Sequence, residues 1–154
     1  MIFFALALSW VKELSENVIP SSERIGLGFE SKRRNDTIER SVIFEGFLGG
    51  AARKVSLTTS QYDLMYHFAE TRKNEEAGWL EIKPKNPPKG DKRYDINDYN
   101  EVKRLLIVLL DGLFGKGNWS KENHLEPLKN TLFELSKKRE RKIRLNLLPE
   151  NIQL

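Results

Sequence analysis

The run from Val102 to Phe114 constrains this chain more than any other stretch. Val102, Leu105, Leu106, Ile107, Val108, Leu109, Leu110, Leu113 and Phe114 leave a helix there with almost no polar side. A helix apolar nearly all round is covered by other elements on most of its surface, so this segment is expected to be the centre of the domain. Asp98 starts it, and Glu101 places an acid in the first turn, where the helix dipole favours negative charge. Gly115 or Gly117 ends it.

Upstream, a short strand over 54–57 runs straight into a second helix. Thr58 is a good N-cap, and Gln61 three residues later completes a capping box. Leu57 before the cap and Tyr62 within the helix suit a hydrophobic staple. Gln61, Leu64, Met65, Phe68 and Ala69 follow the three-and-four spacing of one buried face. Two further strands precede these elements, at 24–29 and 41–48, the first alternating Ile25, Leu27 and Phe29 with Gly and charged residues. The polar run 30–36, with Lys32, Arg33 and Arg34 in succession, reads as a solvated hairpin tip. The glycines and alanines at 49–52 turn the second strand toward the third.

The opening residues Met1 to Val11 are strongly apolar. They lack the charged start and cleavage site of a signal peptide and are too short to span a bilayer. They read instead as a helix ending near Glu16, with Phe4, Leu8, Val11 and Leu14 on one face. That face is expected to pack on its own domain or on a second copy, making residues 1–40 a packing or homodimerisation element beside a main domain at 41–154.

Beyond the 58–70 helix, residues 72–95 form a long connection. Within it, Gly78 to Ile82 has strand character, and the proline-rich, lysine-rich segment 83–90 cannot be helix. A third helix follows the central one. Ser120 and Asn123 mark its start, Pro127 is tolerated only in its first turn, and Leu125, Leu128, Leu132 and Leu135 give it a core-facing stripe. It is expected to run out at Ser136, with two strands at 143–148 and 152–154 closing the chain as a hairpin around Pro149-Glu150-Asn151.

The strand ending in Leu57-Thr58, the helix with its Leu64-Met65 and Phe68-Ala69 steps, and the last helix followed by a hairpin resemble the OmpR/PhoB-type winged helix-turn-helix DNA-binding domain. The resemblance covers residues 41–154 and departs from the family at 72–95, where those regulators pass between helices through a short turn. It implies an α+β winged helix of three helices, a small antiparallel sheet and a C-terminal β-hairpin wing, here with an extra N-terminal helix. It also implies a cytoplasmic transcriptional regulator on double-stranded DNA, often dimeric. The chain has no room for the receiver domain that such regulators carry.

DNA binding needs bases that neutralise phosphates and polar side chains that reach base edges. The candidates are Asn123, Lys129, Asn130, Lys137, Lys138, Arg141 and Arg144, on and after the third helix. Glu126 and Glu134 on the same side work against it. The competing reading is a solvated helix tail whose bases merely complement the helix dipole. The chain has a formal charge of only +4, which favours an anionic partner mildly. An alternative function is a protein–protein adaptor on the same scaffold, since fold alone does not decide between the two.

An enzyme is not expected. The absence of cysteine excludes disulfides, thiolate metal sites and thiol nucleophiles. His67 and His124 lack the partners of a zincin or a triad, Asp95, Asp98 and Glu101 are better read as helix-start acids, and Gly115-Lys116-Gly117 lacks the rest of a phosphate loop. No cofactor or metal is expected either.

Overall fold

The computed structural model describes residues 19–47, 51–90, 92–137 and 140–154. The N-terminal helix and the dimer contact expected of it lie outside these residues, as does Lys138. Two long strands, β1 (Gly26–Arg34) and β2 (Thr37–Glu45), are followed by β3 (Arg53–Leu57) and helix α1 (Thr59–Asn74). A short strand, β4 (Leu80–Glu81), precedes helix α2 (Asn100–Phe114). A π turn (Lys121–Leu125) leads into α3 (Glu126–Leu132), and β5 (Phe133–Leu135), β6 (Lys142–Leu145) and β7 (Ile152–Gln153) end the chain. The class is α+β, with three α-helices and two small sheets among the described residues.

The first sheet has the order β3-β2-β1-β7, with an antiparallel meander and β7 added parallel to β1. Leu27, Val42, Phe44, Val55 and Leu57 bury one of its faces under the helices. Phe29 on that face meets Tyr62 and Tyr66 of α1 edge-on, at 5.5 and 5.1 Å. The expected pairing of β1 with β2 runs further than the hydrophobic alternation: it continues through Arg33↔Ile38 and Arg34↔Thr37. The three consecutive bases are therefore strand rather than loop. A two-residue turn, Asn35-Asp36, with Asn35 at φ +52°, suits the asparagine-tolerated left-handed conformation of such hairpins.

The capping box of α1 forms as its sequence demands: the Thr58 hydroxyl accepts from the Gln61 N–H, and the Gln61 side chain accepts from the Thr58 N–H. Met65, Phe68 and Ala69 are buried, whereas Gln61 and Leu64 are only half-buried. In α2 the buried stripe is Val102, Leu105, Leu106, Leu109, Leu110 and Leu113. The helix is not covered all round, since Ile107 is 44% exposed. The glycine at 112 lets α2 lie directly on β3; a Cβ there would stand 2.5 Å from Val55 Cγ1.

The last quarter of the chain differs from expectation. The third helix ends at Leu132 rather than Ser136, because Phe133, Glu134 and Leu135 pair in antiparallel register with Leu145, Arg144 and Ile143. The hairpin is therefore β5–β6. The residues after Pro149 take no part in it: Ile152 pairs with Leu27 in the first sheet. The Asn151 side chain donates to the Glu23 carbonyl and Lys73 donates to the Ile152 carbonyl, at 3.0 and 2.6 Å, pinning this end. β4 joins the hairpin to give a second sheet, β4-β6-β5. The sheet packs on α1 where Phe68 meets Phe133, ring centres 4.9 Å apart.

Candidate nucleic-acid interface

The third helix starts where its cap predicts, with the Ser120 hydroxyl accepting from the Asn123 N–H at 3.2 Å. Pro127 has no N–H to donate, which the first turn of α3 tolerates; the wider π turn ends two residues before it. His124 is buried in this turn, its Nδ1 accepting from the Ser120 N–H at 3.0 Å and its ring edge-on to Phe114 at 4.8 Å. It holds the helix start in place.

Asn123 and Asn130 are exposed on this helical segment. Lys129 lies 4.0 Å from Glu126, a loose surface pair of small energetic weight. Glu126 also faces Tyr99, whose phenol pKa is raised first by burial and then by that carboxylate.

Lys137 and Arg141 are not on the helix. They stand at the tip of the β5–β6 hairpin, both exposed. The Ser136 N–H donates to the Lys142 carbonyl at 2.8 Å and the Lys142 N–H to the Ser136 hydroxyl at 2.7 Å, closing the hairpin at the base of this tip. Within it the Glu140 N–H donates to the Lys137 carbonyl, and Arg141 turns the chain at φ +48°. The Arg141 carbonyl accepts from the Ile82 N–H at 2.8 Å, and its guanidinium donates to the Lys83 carbonyl at 3.3 Å.

These bonds bring the tip alongside the basic segment that begins at Lys83 and continues through Lys85 and Lys89. The bases at 83–93 are conspicuous in the sequence, but only the β4–β6 pairing places the first of them, Lys83, beside the hairpin. Lys92 is engaged locally by Glu81, at 2.9 Å, and that hydrogen bond raises its pKa.

Arg144 is placed differently from the other candidates. Its Nε and Nη2 donate to Glu134 Oε2 at 2.9 and 2.7 Å, and its Nη1 to the Ala77 carbonyl at 3.0 Å. The pairing removes Glu134 as an unopposed negative charge and commits Arg144 to the sheet. The described candidates thus divide into Asn123, Lys129 and Asn130 on the helix, Lys137 and Arg141 on the hairpin tip, and Arg144 within the sheet.

His67 lies 3.3 Å from Asp95, whose other oxygen accepts from the Glu81 N–H. Among the described residues no cluster of histidine, aspartate and glutamate has the arrangement of a metal site, and no helix is long and apolar enough to cross a membrane.

Comparison of the chain with family models, with curated proteins and with solved structures finds no match.

Proposed function

We propose that this chain binds double-stranded DNA as a winged helix-turn-helix protein, working as a cytoplasmic transcriptional regulator. The observation that supports the reading is the passage of α3 into the β5–β6 hairpin without a linker, the order in which a recognition helix and its wing follow one another. The strand in the long connection supports it as well. β4 is a third strand on the hairpin, so part of 72–95 belongs to the sheet that holds the wing.

In this reading Asn123 and Asn130 address base edges, as asparagine does through its paired donor and acceptor. Lys129, Lys137 and Arg141, with Lys83 beside Arg141, neutralise phosphates. Arg144 positions the wing. No catalytic step or cofactor enters.

Duplex titration at several salt concentrations tests it. Each phosphate contact removed lowers the slope of log affinity against log salt by about 0.9, so Lys137→Ala and Arg141→Ala should each flatten it. Asn130→Ala should relax sequence preference and leave the slope unchanged. If the wild type binds no duplex more tightly than about 10⁻⁴ M near physiological salt, the adaptor reading replaces this one. The exposed Ile107, in a groove with Tyr99, Lys103 and Leu125 between α2 and the π turn, is the surface that favours it.

A further inference from the structure

We propose that the outer half of the β1–β2 hairpin is a second DNA-contacting element, a two-stranded arm that enters a groove and grips phosphates outside the reach of α3 and the wing. The inference rests on the DNA-binding reading above and concerns a part of the molecule that reading does not use.

β3 pairs with β2 only over Arg40–Phe44, and β7 pairs with β1 only at Leu27 and Gly28. Residues 31–34 and 37–39 consequently form a ribbon paired only to itself, and every residue from 31 to 39 is exposed. At about 3.3 Å per residue the overhang reaches roughly 13 Å past the sheet. A two-stranded ribbon of this kind fits the major groove, about 12 Å wide.

The chemistry of the arm suits that partner. Cross-strand pairs share a face, so Ser31/Arg40 and Arg33/Ile38 continue the core face outward, and Lys32/Glu39 and Arg34/Thr37 occupy the other. Cations therefore stand on both faces, outnumbering the two acids of the arm, Glu39 and the turn residue Asp36. Lys32 pairs with Glu30 at 2.7 Å, Arg34 with Glu39 at a looser 3.6 Å, and Arg40 donates to the Thr59 hydroxyl. Arg33 has no carboxylate partner among the described residues. Ile38 beside it is 50% exposed. Charges alone would serve to keep a ribbon with open edges from pairing with other chains. An exposed isoleucine between them serves that end poorly and suits apolar contact with a thymine methyl or a sugar.

The arm lies at the first turn of α1, through Arg40 and Thr59, whereas the second sheet meets the same helix at Phe68. The two elements are thus set apart along α1, and an arm contact lengthens the footprint rather than duplicating the wing's.

The test compares the full chain with its Arg33→Ala/Arg34→Ala and Lys137→Ala/Arg141→Ala variants on one duplex, by titration against salt and by hydroxyl-radical footprinting. The arm variant should lower the salt slope by about 1.8, two contacts at about 0.9 each, and lose protection at one end of the footprint only. If the wild type and arm variant share one slope and one footprint while the hairpin variant's slope falls, the arm proposal is overturned and the DNA reading stands. A lower slope with an unchanged footprint also overturns it, since the arm's charge then acts diffusely. Absence of duplex binding by the wild type overturns both.

Discussion

Arg144 lies with its guanidinium carbon 4.4 Å from the centre of the Trp79 ring while holding Glu134 across the strand pair. It therefore joins β6 to β5 and to the segment entering β4. The ion pair alone contributes little, because Glu134 is 44% exposed; the stacked ring and the bond to Ala77 add to it. Arg144→Ala should cost about 1–2 kcal/mol of stability, read by denaturant unfolding. Arg144→Lys should recover little of the loss, because an ammonium offers neither the planar stack nor the fork. Full stability in Arg144→Ala would return this residue to the candidates for DNA contact.

Leu106 and Leu109 are 1% and 0% exposed on the buried stripe of α2. Truncating either to alanine removes buried methyl groups and leaves a cavity, at a cost of about 2–5 kcal/mol. Ile107→Ala, on the open side of the same helix, should cost less than either. Equal losses at all three positions in denaturant unfolding would contradict the orientation of α2.

The sequence makes local chemistry legible and long-range pairing much less so. Thr58 and Gln61 declare the start of α1 because the cap is built from neighbours. Phe133 to Leu135 read as helix because Leu125, Leu128, Leu132 and Leu135 keep helical spacing, and a strand of three residues has too little length for a period of its own. What decides their conformation is Ile143 to Leu145, a partner supplied by the fold. The same holds for Ile152, whose partner Leu27 lies at the other end of the described chain. Among the candidate site residues, Asn123 and the cap of the third helix are local and were legible. The withdrawal of Arg144 into the sheet depends on Glu134 across the β5–β6 pair and on Ala77 and Trp79 before β4, partners supplied by the fold, and was not.

Tyr99 should give the folded state a measurable alkaline weakness. Burial raises its phenol above the usual value near 10, with Glu126 adding to the effect. The unfolded chain then loses this proton at lower pH than the folded chain does. The stabilisation is complete below about pH 10 and is lost as pH rises through the folded value. Tyr99→Phe has no proton to lose there, so its stability should fall less steeply between about pH 9 and 11. All other groups are common to both proteins and cancel in the difference. Parallel curves from denaturant unfolding at each pH would show that Tyr99 is not held protonated by the fold.

The contact of α2 with β3 sets two effects of opposite sign against each other at Gly112. Replacing a mid-helix glycine by alanine favours the helix by about 1 kcal/mol. Here the new Cβ would stand 2.5 and 2.8 Å from the two γ-carbons of Val55, which is itself buried in the core at 2% exposure. Overpacking of this kind costs about 1–3 kcal/mol, so the clash should win and Gly112→Ala should be less stable than the wild type. Val55→Ala removes both offending carbons at the cost of a cavity. The double variant should therefore be more stable than the sum of the two single losses allows, with a coupling energy within the range of about 0.5–3 kcal/mol found for residues in contact. Additive losses in a double-mutant cycle would mean that α2 relaxes away from β3 without strain, and the close packing of the central helix on the sheet would have to be abandoned.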